Sequence, residues 1–165
     1  MPTDPPGESG FINDTHAAPI STVIWDQYAY FAEVALIRLF SRGHPQSLNT
    51  LLDEDLPKNY KHEDITPKMG ESMLRNFATK AYRRPASDEE IENMATRLDG
   101  LSGAKLVKAL KFEMQTIIMS PGFLYRGMRM EKQPGKKQQE VDNYELAERL
   151  SYFLWEDSPD EELFS

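Results

Sequence analysis

The chain has no cysteine among its 165 residues. Disulfides, thiolate metal sites, thiol nucleophiles and covalent haem attachment through C-x-x-C-H are thereby excluded within it. Histidine is almost as scarce, with only His16, His44 and His62. Each falls in an expected loop, and none has a second ligand-type residue at i+3 or i+4 on a helix, as zinc enzymes require. Asp14 with His16 makes at most a weak metal pair, because metal centres need three or four convergent ligands. Basic charge is also in short supply: 19 Lys and Arg stand against 27 Asp and Glu, for a net charge of −8. That balance argues against nucleic acid, whose affinity comes from basic contacts to phosphate, and against anionic membrane surfaces. No run approaches the roughly 18 apolar residues of a membrane span, so no membrane insertion is expected. Met1–Gly10, MPTDPPGESG, has neither the basic start nor the apolar run of a signal peptide. Taken alone, it leaves a cytoplasmic protein or an internal piece of a larger one. Gly-rich phosphate loops and a serine nucleophile elbow are missing too.

What the sequence does contain is helical periodicity with capping signals. Residues 1–19 are rich in Pro, Gly, Asp and Asn and read as an extended arm anchored only by Phe11 and Ile12. Ser21 caps a helix to about Ser41. Its face is Trp25, Tyr28, Ala32, Ala35, Leu36 and Leu39, widened by Phe31, Val34 and Phe40. Gly43 ends it, and Pro45 is expected to prevent its resumption. Leu48, Leu51, Leu52 and Leu56 allow a short helix stopped by Pro57, and Lys58–Glu63 reads as loop. Thr66-Pro67 opens a second clear helix carrying Met69, Met73, Phe77 and Ala81, ended before Pro85. Ser87 and Glu90 form a capping box for a helix with Ile91, Met94, Ala95 and Leu98.

The most apolar stretch is Leu106–Arg126, LVKALKFEMQTIIMSPGFLYR. Ser102 is its expected cap. Leu106, Leu110, Met114 and Ile117 recur at helical spacing, and Phe112 and Met119 add a second flank. A stripe that wide predicts a central helix buried on several sides, stopped at Ser120-Pro121-Gly122. Lys132–Glu140 reads as a solvated loop and domain boundary. Asp142 and Glu145 then open a helix with Leu146, Ala147, Leu150, Phe153 and Leu154 on its apolar side, and Tyr152 and Trp155 on a second facet. Ser158-Pro159-Asp160-Glu161 starts a further helix, with Ser158 as its cap.

Charged clusters have structural readings. Asp88-Glu89-Glu90 and Asp160-Glu161-Glu162 occupy first helical turns, where negative charge complements the helix dipole. A paired-carboxylate hydrolase would need such groups facing one cleft. Asp53-Glu54-Asp55 lacks calcium-loop spacing. Arg83 and Arg84 meet the carbonyls at a helix C-terminus, and fork-shaped pairing with Glu89 or Glu90 is expected. Arg149 has Glu145 as its natural i−4 partner, and Arg126 is expected to pair with an acid.

Three blocks carry a family likeness. Phe77-Ala78-Thr79-Lys80-Ala81-Tyr82-Arg83-Arg84-Pro85 with Ser87-Asp88-Glu89-Glu90 resembles F-A-x-R-A-[FY]-R-R-P-x-[ST]-D-E-E. Ile118–Arg126, containing Ser120, Pro121 and Phe123, resembles I-L-x-S-P-x-F-L-Y-R. Tyr144–Trp155, containing Leu146, Arg149 and Tyr152, with Ser158–Leu163, resembles Y-E-L-A-S-R-L-S-Y-F-L-W followed by M-P-D-E-E-L. These are patterns of helical domains of unknown function in large secreted planctomycete-type proteins, which often accompany a cytochrome c-like domain. Lys80 stands where arginine is usual, and Glu148 where a small residue is common. Gly10–Asp14, Ser21 and the 28–35 segment are similar to the end of a preceding domain in such proteins.

The fold class expected is all-α, an irregular multi-helix bundle with an extended N-terminal segment and a truncated C-terminal helical module. Residues 1–65 would end one module, 66–131 would form the central one and 141–165 would begin the next. No catalytic, cofactor or metal residue is assigned. The resemblance implies a periplasmic or cell-surface multidomain protein, with haem elsewhere in the polypeptide. This stretch would be a non-catalytic structural or interaction fragment whose partners are its sister domains. The alternative is part of an oxidoreductase or glycan-processing enzyme whose active site lies in missing domains.

Overall fold

Thr66 and Pro67 start the helix against which most of the chain packs. The Thr66 hydroxyl accepts the Met69 N–H at 3.2 Å, and Pro67 occupies the first helical position, where its missing N–H costs nothing. A computed structural model describes residues 22–41, 45–52, 56, 60–124 and 141–164, with the backbone alone at 45–47, 161 and 164. All regular structure among these residues is helical: α1 (Thr22–Leu39), α2 (Pro45–Leu52), α3 (Pro67–Tyr82), α4 (Asp88–Ala95), α5 (Gly103–Ile118), α6 (Pro121–Leu124), α7 (Asn143–Trp155) and α8 (Glu161–Phe164), with 3₁₀ turns at His62–Asp64 and Thr96–Leu98. The expected all-α bundle is what forms.

One apolar cluster joins α1 through α5. Met73, Leu74 and Ala78 of α3 meet Leu106, Leu110, Met114 and Ile117 of α5, with Ile91 and Leu98 on one side and Leu36, Phe40, Leu48 and Leu51 on the other. The Asn76 side-chain amide donates to the Leu51 carbonyl at 2.7 Å and ties α3 to the end of α2. Gly70 permits close approach: a Cβ there would lie 2.9 Å from Leu98 Cδ1 and would force that buried side chain to shift.

Several expectations are corrected. Pro45 does not block a helix; it begins α2, where proline is tolerated at the first turn. The Lys58–Glu63 loop gives way at His62 to a 3₁₀ turn, with the Asp64 carboxylate accepting the Lys61 N–H at 3.1 Å. Ser102 sits at the N-cap of α5 but its hydroxyl caps nothing, and Gly103 takes a left-handed φ of 57° there. Phe112 is 63% exposed, so the expected second flank is not buried there, and the buried stripe of Leu106, Leu110, Met114 and Ile117 also takes in Glu113. In α1 only Ala32 and Leu36 are buried, while Trp25, Tyr28, Phe31 and Ala35 face outward. In α8 it is Asp160 rather than Ser158 that caps, accepting the Leu163 N–H at 3.0 Å. The Asp14–His16 pair, His44, Asp53–Asp55, Arg126 and the 132–140 loop lie outside the described residues.

Tyr60 packs on this cluster beside His62, their rings 6.3 Å apart. Its hydroxyl is buried with no hydrogen-bond partner among the described residues. Burial first, and the Asp64 carboxylate second, push its pKa up to about 12. A buried polar atom without a partner costs free energy, so Tyr60→Phe should leave stability unchanged or raise it by up to about 1 kcal/mol. A thermal melt showing a loss larger than about 1 kcal/mol would mean that the hydroxyl is bonded.

Candidate functional site

Arg83 ends α3 in the left-handed conformation, with φ 55° and ψ 35°. That conformation costs a non-glycine residue roughly 1–2 kcal/mol, so the side chain must repay it through contacts. The Arg83 and Arg84 N–H groups both donate to the Thr79 carbonyl, closing the helix end. The turn aims the Arg83 guanidinium inward, and the residue is 8% exposed. Its Nη2 donates to the carbonyls of Gly122 and Phe123 at 3.4 and 3.3 Å. Its Nε lies 2.8 Å from Glu148 Oε1 on α7. The N–H is angled off that line, so the contact is an ion pair and not a hydrogen bond, and neither atom has another bonding partner among the described residues.

Arg83 therefore touches all three of the sequence blocks. It lies in the first, reads carbonyls of the second and neutralises a carboxylate of the third. Ser120 and Pro121 shape the second: the Ser120 carbonyl accepts the Phe123 and Leu124 N–H groups, each at 3.1 Å, and its hydroxyl donates to the Ile117 carbonyl at 2.7 Å. Gly122 packs closely there: a Cβ would sit 3.2 Å from the Tyr82 ring, which would have to shift slightly to admit it. Phe77 and Phe123 are half-buried against the core cluster, and Pro85 is exposed.

Arg84 points the other way. Its guanidinium grips both oxygens of Glu90 as the expected fork, with Nη1 to Oε2 at 2.7 Å, and lies 5.1 Å from the Tyr82 ring centroid. Glu90 also accepts the Ser87 N–H at 2.9 Å, and Ser87 Oγ accepts the Glu90 N–H, completing the capping box. The Arg84 bond, with smaller help from Ser87 and against the effect of burial, holds the Glu90 carboxyl down to about 2. A carboxylate that ionises more readily when folded stabilises fully above its unfolded range and loses that stabilisation as pH falls through the folded value. With a third of the side chain exposed, solvent screening leaves about 1 kcal/mol. Glu90→Gln should therefore lower stability by about that amount at pH 7, with the gap to the parent closing between pH 4.5 and 2. A gap independent of pH in thermal melts would contradict the pairing.

Glu113 behaves in the opposite sense. It is 1% exposed on α5 and meets Arg97 Nη1 at 3.1–3.2 Å through both oxygens. Burial raises its pKa and Arg97 only partly opposes this, so its contribution to stability falls as pH rises through the folded value.

On α7, Asp142 caps by accepting the Glu145 N–H at 2.8 Å, and Arg149 pairs with Glu145 one turn back, as expected. The buried face is not the expected apolar one. Glu145, Ala147, Glu148 and Ser151 point inward, while Leu146, Leu150, Leu154, Phe153 (83% exposed) and Trp155 (65% exposed) face out. The Tyr152 hydroxyl bonds to Ser158 Oγ at 3.1 Å, and Ser151 Oγ donates to the Asp157 carbonyl at 2.7 Å, folding the chain back after the helix. Glu148 is the site residue that periodicity concealed. The signal for Glu148 was present in its departure from the pattern of small residues at that position.

Among the described residues no group of three or more His, Asp or Glu converges as a metal site, and no helix is long and apolar enough to cross a membrane. The arrangement holds helices together through charge. Residues 70–127 match the family described as PSD5, protein of unknown function (DUF1595). Residues 141–165 match PSD4, protein of unknown function (DUF1592). No curated protein and no solved structure matches the chain.

Proposed function

We propose that the chain is a non-catalytic structural and interaction element of an extracytoplasmic multidomain polypeptide that also carries a cytochrome c-like domain. The observation that carries this reading is the employment of Arg83: a point reached by all three sequence blocks is spent on two backbone carbonyls and a carboxylate of α7. Arg84 with Glu90 and Arg97 with Glu113 likewise join helices or turns, and Arg149 is taken up by Glu145 within α7. The two matches, at 70–127 and 141–165, support a division into a central module at 66–131 and a following one from 141, after a preceding module ending near 65. The outward face of α7, with Leu150, Phe153 and Trp155, would contact sister domains in the periplasm or at the cell surface.

This chain does not fit covalent haem, because it has no cysteine to hold it; any haem belongs to another domain. The test is expression of the complete reading frame. Export, a Soret band lost on replacing the cysteines of a C-x-x-C-H motif, and protection of Trp155 from oxidative footprinting relative to the 165-residue chain are the expected results. A cytoplasmic, haem-free polypeptide with Trp155 labelled equally in both forms would overturn the proposal.

A further inference from the structure

Helix α1 is apolar on two sides. One side packs on the body. Ala32 and Leu36 are buried, and Leu36 and Phe40 belong to the core cluster. Lys111 lies 5.2 Å from the Phe40 ring centroid, and the Gln115 side-chain amide donates to the Ala29 carbonyl at 3.4 Å. The opposite side carries Val23, Gln27, Tyr30, Val34 and Ile37, spaced alternately by four and three. Val23 is 60% exposed, Tyr30 63% and Ile37 54%. A helix that is apolar all round is normally covered all round. Spacing by four and three is the a/d seam along which two helices coil, the knobs of one entering holes of the other. An open depression on this side, bordered by Val23, Gln27, Tyr30 and Phe31, has room for such knobs.

The charges beside the seam decide what fits it. With Gln27 and Val34 at a, and Val23, Tyr30 and Ile37 at d, Asp26 and Glu33 fall at g and Arg38 at e. In a parallel pair in register, a g residue faces the e residue five positions later on the other helix. Glu33 then meets Arg38 of the second copy, and two-fold symmetry makes the contact twice. Antiparallel pairing sets g against g, acid against acid. The side chains of Gln27, Glu33 and Arg38 make no hydrogen bond or ion pair among the described residues.

We propose that α1 pairs with α1 of a second copy of the chain, parallel and in register, to give a two-fold dimer. Two heptads are too few for an isolated helix to specify a coiled coil. Here α1 is already held on α5, so pairing carries no cost of helix formation. The contact is small, which makes the dimer concentration-dependent. It requires neither haem nor a sister domain, so it stands or falls apart from the proposed role.

The test is sedimentation equilibrium of the 165-residue chain, in which the share of reversible dimer should rise with concentration. Tyr30→Glu combined with Ile37→Glu, both at exposed positions, should leave the chain folded and weaken dimerisation by about 100-fold or more, because like charges then meet in the seam. Arg38→Glu alone should weaken it roughly 3- to 30-fold, and adding Glu33→Arg should restore it. The chain has no cysteine, so a single introduced one reports the alignment. Val23→Cys and Ile37→Cys should each form a disulfide-linked dimer alone. Antiparallel helices would hold like positions about 21 Å apart, at 1.5 Å rise per residue, and would crosslink only when the two variants are mixed. That last result would overturn the proposal. So would a chain that stays monomeric up to about 1 mM, or a dimer indifferent to Tyr30→Glu with Ile37→Glu. A monomeric complete polypeptide with Tyr30 protected from footprinting would likewise overturn it and give this side of α1 to a sister domain.

Discussion

Leu110→Ala should lower stability by about 2–5 kcal/mol. Leu110 is fully buried at the middle of α5, in the cluster that also holds Leu74, Leu98 and Met114. Truncation removes three buried carbons, Cγ and its two methyl groups, and leaves a cavity. The cluster draws its side chains from several helices, α3 and α5 at its centre, and from the turn after α4, so no single element can shift to fill the space. Denaturant unfolding would show the loss as a lower midpoint with an unchanged slope. A midpoint within about 1 kcal/mol of the parent would mean that α5 is not the packing centre.

Arg83→Met is the second large effect, with an expected loss of about 3–5 kcal/mol, because it leaves the buried Glu148 carboxylate without its counter-charge. It also deprives two carbonyls, Gly122 and Phe123, of their donor. Denaturant unfolding would show the loss as a lower midpoint, and a stability within about 1 kcal/mol of the parent would contradict it.

The helix starts that depend on local chemistry could be read from residues alone. Thr66-Pro67, the Ser87–Glu90 box and Asp142 each satisfy N–H groups within four residues, so no tertiary information is needed. The stripe of α5 could be read for the same reason: four apolar residues on one face have few alternatives to burial. Partners were harder. The Glu145–Arg149 and Arg84–Glu90 pairs are four and six residues apart and were expected. Arg83 and Glu148 are 65 positions apart, and nothing local to either names the other. Ser102 fails as a cap because the left-handed Gly103 directs the chain away from the usual geometry, a conformation that glycine permits but does not announce.

The faces of α1 and α7 mislead for a common reason. Hydrophobic periodicity identifies the side of a helix that can be buried, and it assumes that this chain supplies the cover. In α7 the arginine on the neighbouring corner selects the carboxylate side instead, and Phe153 and Trp155 remain outside. Phe31 and Tyr30 of α1 are exposed in the same manner, around a shallow apolar depression with Val23 and Gln27. Glu113 is the converse case, a charged residue drawn into the core side of α5 because Arg97 reaches it from the turn after α4.

The Arg83–Glu148 joint is accessible to a double-mutant cycle of Arg83→Met, Glu148→Leu and the combination, followed by denaturant unfolding. If the two side chains fasten α7 to the body, the double variant will lose less than the sum of the single losses, with a coupling of about 1–3 kcal/mol. Losses that add to within about 0.5 kcal/mol would show that the two residues do not act on one another and that α7 is held by something else.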